Sequence, residues 1–295
     1  MKSGFVNIVG NPNVGKSTLM NVLVGERISI ITSKSQTTRH RIMGIVNGEV
    51  LGQEFQIVYS DTPGVLKPNY KLQESMLAFS QGALTDADVI LYVTDTYETP
   101  DKNNDFLQSV AMAKQPVVLI INKIDKSNPE KLELLVEQWL QLLPRAQIVP
   151  ISALERFNTE RLIERVVSLL PEAEAYFPKD QLTDRSLRFF ASEIIREKIL
   201  TNYDKEIPYC SEVVIEKYEE GETLDRINAV INVARESQKG IIIGHQGEKL
   251  KRVGTLARKD LETFLGKKVY LEIFVKVETD WRDDERKLRG FGYIE

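Results

Sequence analysis

Eight residues near the N-terminus, Gly10-Asn11-Pro12-Asn13-Val14-Gly15-Lys16-Ser17, fit the spacing G-x-x-x-x-G-K-[ST]. The glycines let backbone N–H groups curl round a phosphate, the helix start adds positive potential, and Lys16 neutralises the outer phosphates. Ser17 can offer its hydroxyl to Mg²⁺. The pattern follows a strand-like run and opens an apolar helix, the context that gives it meaning. Asp61-Thr62-Pro63-Gly64 ends a second strand. A carboxylate there can hold Mg²⁺ through water, and Gly64 can present its N–H to a γ-phosphate. Taken alone, such a tetrapeptide is more often a turn. Asn122-Lys123-Ile124-Asp125 ends a third strand. Asp125 can accept from the N1–H and the 2-amino group of guanine; adenine lacks that pair of donors and would leave the carboxylate unpaired. Ser152-Ala153 stands where a backbone N–H can contact guanine O6. Each of the later motifs falls at the C-terminal end of a strand, where open α/β sheets bind their ligands. The conjunction predicts a site for GTP or GDP with Mg²⁺.

The elements that must position these residues alternate in type. Residues 5–9, 55–59, 89–94, 117–121 and 146–150 read as strands, with helical spacing from residue 18 and over 160–170. Such alternation gives βαβ units and a mainly parallel sheet, and near-continuous apolar strands agree with a sheet covered on both faces. A polar, proline-bracketed stretch then predicts a linker over 173–184 between a domain of residues 1–172 and one of 185–295. Beyond it the order changes to a helix over 187–200, strands over 211–219 and 226–236, a glycine-marked helical region and a last strand over 269–277. That is a small α+β domain.

Composition limits the alternatives. A chain of 295 residues suits two domains. Its 39 Lys and Arg against 43 Asp and Glu leave a net charge of -4, which excludes attachment to nucleic acid by bulk charge alone. Hydrophobic residues at 42% can bury a real core. The one cysteine, Cys210, cannot form an internal disulfide and reads as a small buried hydrophobe. No apolar run approaches the ~18 residues of a membrane span. The N-terminus enters a strand at once without a signal-peptide core, which predicts a cytosolic protein.

The second half carries a local excess of positive charge. Between residues 239 and 259 stand Lys239, Lys249, Lys251, Arg252, Arg258 and Lys259 against the single acid Glu248, a net of +5. Within it, Gly244-His245-Gln246-Gly247 is a G-x-x-G segment before a helix with core spacing at Leu250, Val253, Leu256, Ala257 and Leu261. Two glycines let such a loop approach a nucleic-acid backbone, where Lys249 and Arg252 reach phosphates. A charged helix face is by itself usually just solvated. Its placement after two strands resembles a type II KH domain.

With both halves on the page, the chain resembles the translation-factor-like GTPases and, within them, the Era family. Gln36-Thr37-Thr38-Arg39-His40 looks like the family's switch I, which makes Thr38 a Mg²⁺ ligand beside Ser17 and Asp61. The segments 234–241 and 281–286 are also similar, so the resemblance spans essentially the whole chain. It implies an α/β P-loop GTPase domain followed by a type II KH domain, acting as a cytoplasmic monomer. It further implies binding to the 3′ end of 16S ribosomal RNA and help in assembling the 30S subunit, with peripheral contact to the inner membrane. Two other readings stay open: a regulatory GTPase whose basic segment meets anionic lipid, and an RNA-binding protein whose nucleotide site is structural. One departure from Ras-like GTPases stands out. Val65 occupies the place of the glutamine that orients the attacking water there, so intrinsic hydrolysis is expected to be slow. Lys16, Thr38 and Gly64 remain the expected catalytic groups, with Asn13. In related GTPases an asparagine at that place helps bind K⁺; as a plain loop former Asn13 has comparable weight. His40 reads as a loop residue, and Arg39 and Arg41 as RNA or surface contacts.

Overall fold

Val89–Asp95, a run of seven buried residues, lies inside a six-stranded sheet. The computed structural model describes residues 1–99 and 103–294. They divide into two compact units, Met1–Asn69 with Gln73–Asp184, and Tyr70–Leu72 with Arg185–Glu295.

In the first unit the strands are β1 (Lys2–Gly10), β2 (Ile42–Val50), β3 (Gln53–Asp61), β4 (Val89–Asp95), β5 (Val117–Asn122) and β6 (Gln147–Pro150). Their order is β2-β3-β1-β4-β5-β6, parallel throughout except for β2, which pairs antiparallel with β3. The chain runs outward from β1 in both directions, so the crevice at its C-terminal end is the topological switch point of the sheet. Helices α1 (Lys16–Val24), α2 (Lys71–Thr85), α3 (Asn104–Met112) and α4 (Pro129–Leu142) connect the strands, and α5 (Thr159–Leu169) follows β6. Asn128 caps α4 by accepting from the Lys131 N–H, with Pro129 in the first turn. Trp139 of α4 is buried edge-on against Tyr92 of β4.

The sequence reading passed over β2. Gly44 and Gly48 interrupt its apolar pattern, and it forms by folding back on β3 through the two-residue turn Leu51-Gly52, both at positive φ (51° and 77°). That geometry is the type I′ hairpin that suits twisted strands. Residues 176–183 lie along this edge of the sheet. The buried Gln56 side chain accepts from the Tyr176 and Phe177 N–H groups and donates to the Phe177 carbonyl, and Leu182 O accepts from the Ile45 N–H at 2.8 Å.

The second unit contains α6 (Leu187–Asn202), α7 (Ile207–Cys210), β7 (Glu212–Glu219), β8 (Leu224–Val233), α8 (Glu236–Ile243), α9 (Glu248–Leu265), β9 (Lys268–Val277) and α10 (Glu285–Gly290). Its sheet runs β7-β8-β9, with β7 antiparallel and β9 parallel to β8. The strand expected over 226–236 stops at Val233, because Arg235 turns into α8. Ile195 and Ile199 of α6, Val253, Ala257 and Leu261 of α9 and the inward residues of β8 make one apolar core. Cys210 and Trp281 are both buried, the indole N–H donating to the Cys210 carbonyl at 3.0 Å. Among the described residues no helix is long and apolar enough to cross a membrane.

Candidate functional site

The segment from Gly10 to Ser17 joins β1 to α1. Gly15 adopts the left-handed conformation that begins the helix, and a Cβ there would lie 2.2 Å from the Asn122 amide nitrogen, so the position requires glycine twice over. Lys16 is buried, and its ammonium donates to the Gly10 and Asn11 carbonyls at 3.1 and 2.8 Å. Burial pushes the ammonium down to about 8, against the opposing pull of Asp61 and Glu98.

Ser17, Thr38 and Asp61 converge, although they stand far apart in the chain. Ser17 Oγ lies 2.8 Å from Thr38 Oγ1 and 2.7 Å from Asp61 Oδ2, and Thr38 Oγ1 lies 3.4 Å from the same carboxylate oxygen. Asp61 is fully buried, and its Oδ1 has no hydrogen-bond partner. Burial raises the carboxyl above its usual range against Lys16 and the neighbouring hydroxyls. Two hydroxyls and an incompletely paired carboxylate form a hard oxygen set that fits Mg²⁺.

The base-recognition motifs meet the phosphate loop from the other side. Asn122 donates to Val14 O at 2.9 Å and accepts from the Ala153 N–H at 3.0 Å. Lys123 donates to Asn13 O at 2.6 Å and pairs with Asp95 at 2.7 Å. Ser152 Oγ donates to Asp125 Oδ1 at 2.7 Å, and this bond, assisted by Lys126, holds the Asp125 carboxyl below the usual carboxylate range. Ile124 and Asp125 begin a short 3₁₀ turn that leaves Asp125 open to solvent. A cavity of about 260 Å³ is lined by Pro12, Asn13, Lys16, Ser17, Thr38 and Gly64 among others.

Some residues named from sequence face elsewhere. Thr62 turns its hydroxyl onto Ile8 O at 2.8 Å, and Pro63 O accepts from Ser80 Oγ. The Asn11 amide donates to Glu98. Val65 is buried with Val9 and Phe106, its side chain withdrawn into the core. Arg39 and His40 are buried rather than at the surface. Arg41 bonds Asp86, Asn7 and Ser60, so its charge is committed within the first unit. Asn13 keeps an exposed side chain and a left-handed backbone (φ 65°).

In the second unit, residues His245–Gly247 make a 3₁₀ turn between α8 and α9 with Gln246 left-handed (φ 51°). His245, Gln246, Lys249 and Arg252 are exposed beside it. A groove of about 430 Å³ runs from Gly247 between α9 and β9, lined by Leu250, Lys251, Gly254, Arg258 and Ile273. Of the six residues named from sequence, Gly247 alone lines it.

A family model described as a 50S ribosome-binding GTPase matches residues 5–123, and a KH-domain model matches residues 206–282. GTPase Era of Staphylococcus haemolyticus (strain JCSC1435) is 43% identical over the whole of this chain and 98% of its own length. The chain belongs to the Era family of GTPases. Two solved Era structures share the fold over 100% of both chains at 40% identity. One is an Aquifex aeolicus variant bound to GDP and AlF4⁻, at a TM-score of 0.94. The other, at 0.93, is Era in complex with MgGDPNP and nucleotides 1506–1542 of 16S ribosomal RNA.

Against this Era framework, sequence reasoning counted Lys251 and Arg258 only as charge and passed over Glu98 and Asn103. Lys251 and Arg258 follow Gly247 at +4 and +11, close to whole helical turns, a spacing that places them on the groove side of α9. Glu98 and Asn103 reach the phosphate loop across some 90 residues of sequence, and no local pattern marks them.

Proposed function

We propose that this GTPase uses its second unit to bind the 3′ region of 16S ribosomal RNA and assists assembly of the 30S subunit. The observation that carries the reading is the groove beside the Gly244–Gly247 turn, with Lys251 and Arg258 set among Leu250, Thr255, Leu271 and Ile273. Such a groove suits about four unstacked nucleotides, with bases on the apolar side chains and phosphates on the basic ones. Gly244, His245, Gln246, Gly247, Lys249 and Arg252 form the approach to the RNA backbone.

In this reading residues 1–172 are the GTPase domain, 173–184 the connection and 185–295 the RNA-binding domain. Ser17, Thr38 and Asp61 hold Mg²⁺, which supplies positive charge against the β- and γ-phosphates. Gly10 to Ser17 wrap the phosphates, Lys16 neutralises them, Gly64 donates to the γ-phosphate, and Asn122 to Asp125 with Ser152 and Ala153 read the base. The exposed side chain of Asn13 is a ligand for K⁺, which would add positive charge against the β- and γ-phosphates. The protein works as a cytoplasmic monomer whose contact with the inner membrane is peripheral.

Filter binding tests the reading. Purified protein with GTP, GDP or no nucleotide is titrated against the 3′ fragment of 16S RNA and an unrelated single strand of equal length. Preferential, nucleotide-sensitive retention of the 3′ fragment is expected. Equal retention of both strands removes the RNA assignment. Binding only to anionic vesicles moves the basic segment to a membrane surface.

A further inference from the structure

Asn103 occupies the N-cap position of α3, where an asparagine side chain ordinarily accepts from the first turn of its own helix. Here it makes no such bond. Its backbone is left-handed (φ 56°, ψ 51°), and its amide nitrogen donates to Val65 O at 3.0 Å and to Asn11 Oδ1 at 2.5 Å. The buried Asn11 amide in turn donates to Glu98 Oε1, whose other oxygen accepts from Thr94 Oγ1 at 2.8 Å. Glu98 is itself fixed by its backbone N–H on Asp95 Oδ1 at 2.9 Å. The chain of bonds thus runs from the loop after β4, under the phosphate loop, to the residue that follows Gly64.

What it holds there is backbone. The Val65 N–H donates to Gly10 O at 3.1 Å, and its carbonyl accepts from Asn103, so both peptides flanking Val65 are pinned. Gly64, one residue earlier, packs so closely on the phosphate loop that a Cβ would lie 2.7 Å from Pro12 Cα. With a valine in place of glutamine, the γ-phosphate end of the site depends on where this backbone stands. A side chain that only stabilised α3 would cap α3.

We propose that Asn103 is a positioning residue for GTP hydrolysis: its amide holds the Gly64–Val65 backbone against the phosphate loop, and Asn11 and Glu98 hold the amide in register. The proposal rests on Gly64 as the γ-phosphate donor and is independent of the RNA reading.

The test is Asn103→Gly in the full chain. Glycine accepts the left-handed backbone without strain, so the variant removes the amide and with it only the bonds to Val65 O and Asn11 Oδ1. Intrinsic GTP hydrolysis without RNA is measured by single turnover, beside GDP affinity and thermal melting. A fall of about tenfold or more in the hydrolysis rate is expected, the scale of a misplaced reacting geometry, with GDP affinity nearly unchanged because GDP has no γ-phosphate and melting lowered modestly by the two lost bonds. Glu98→Gln keeps an oxygen for the Asn11 amide and turns an N–H toward Thr94 Oγ1, a hydroxyl able to accept it, so it is expected to slow hydrolysis less. The double variant is expected to be no slower than Asn103→Gly, since both act through one amide. Gly64→Ala controls the underlying assumption: hydrolysis unaffected by it overturns the role of Gly64 and the proposal together. If Gly64→Ala abolishes hydrolysis while Asn103→Gly stays within about twofold of the parent, the clamp alone is wrong. A parallel fall in GDP affinity also overturns it, leaving Asn103 a structural residue.

Discussion

Asp125→Asn converts the proposed base contact into its complement, and the structure sets the size of the effect. Ser152 Oγ at 2.7 Å engages Asp125 Oδ1, and Lys126 stands 3.3 Å from Oδ2. Both carboxylate oxygens remain able to accept from guanine. Asparagine keeps one acceptor, which Ser152 can still orient, and turns the other oxygen into a donor facing the guanine 2-amino group. One charge-assisted hydrogen bond is lost, at about 1.5–3 kcal/mol, and a donor is left against a donor, at about 1–3 kcal/mol. A combined loss of about 2.5–6 kcal/mol lowers GTP and GDP affinity by roughly 10²–10⁴-fold, at about 1.4 kcal/mol for each factor of ten. Xanthine carries a 2-oxo group in that place, so XTP gains the bond that GTP loses. Competition of GDP and XDP for the nucleotide-free protein reads the preference directly, and kcat/KM with GTP and XTP reads it in turnover. A variant that prefers guanine as strongly as the parent refutes the assignment of Asn122 to Asp125 as the base-reading segment. Ser152→Ala extends the argument to pH. The Ser152 hydroxyl is the main influence holding the Asp125 carboxyl low, so its removal raises that carboxyl toward the ordinary carboxylate value. Guanine requires the ionised form. As pH falls, the variant therefore loses GDP affinity at a higher pH than the parent does.

Other consequences can be checked separately. Replacing His245 and Gln246 together with aspartate sets negative charge beside phosphates and is expected to weaken RNA binding several-fold or more while leaving GTP binding intact; unchanged RNA binding in a folded variant puts the groove elsewhere. In α6, Arg196 is bidentate to Glu193 at 2.7 Å with side chains 1% and 8% exposed, so Glu193→Ala is expected to destabilise the second unit by about 3 kcal/mol, followed by denaturant through Trp281 fluorescence. Glu212 lies near enough to Arg196 to compensate in part, which sets the estimate at the low end of that range; a change below about 1 kcal/mol contradicts it. K⁺ is expected to speed GTP hydrolysis relative to Na⁺ at equal ionic strength, and Asn13→Ala to erase most of that difference with GTP affinity nearly intact. Equal rates in the two salts remove the cation from the mechanism.

The parts legible in the sequence were those whose signal is local. Gly10 to Ser17, Asp61 to Gly64 and Asn122 to Asp125 each combine an apolar strand with residue types that have few other reasons to follow one. β4 and β5 were legible for the same reason, being buried on both faces. β2 was not, since its two glycines and polar edge leave no period, and only its pairing with β3 makes it a strand. Arg39 and Arg41 looked like surface or RNA contacts because charge is normally solvated. Arg41 is instead held by Ser60, Asp86 and Asn7, all distant in sequence. Asn103 is the extreme case. An asparagine before a helix reads as its cap, and nothing nearby says that the amide turns to Val65.

The phosphate loop shows why such distant ties matter more than their number suggests. Gly10 O accepts from the Val65 N–H, Asn13 O from Lys123, Val14 O from Asn122, and Gly15 O from the Leu19 N–H. With these carbonyls drawn outward, the N–H groups between them are left for an anion, a concavity formed before any nucleotide arrives. Lys16 is the exchangeable member: its bonds to Gly10 O and Asn11 O must be given up for its ammonium to reach phosphates, and Gly10 O alone keeps a second donor in the Val65 N–H. The fixed ties should therefore serve GDP and GTP alike, whereas Asn103 should matter for GTP hydrolysis only. Asn122→Ala separates the two cases. It strands Val14 O and the Ala153 N–H, both in buried residues, at about 1–3 kcal/mol each. Affinity for GDP and for GTP is expected to fall together by roughly 10²-fold, measured by titration of the nucleotide-free protein. A variant that binds GDP within about threefold of the parent shows that the loop holds its shape without Asn122, and the claim of a cradle formed in advance by these ties then fails.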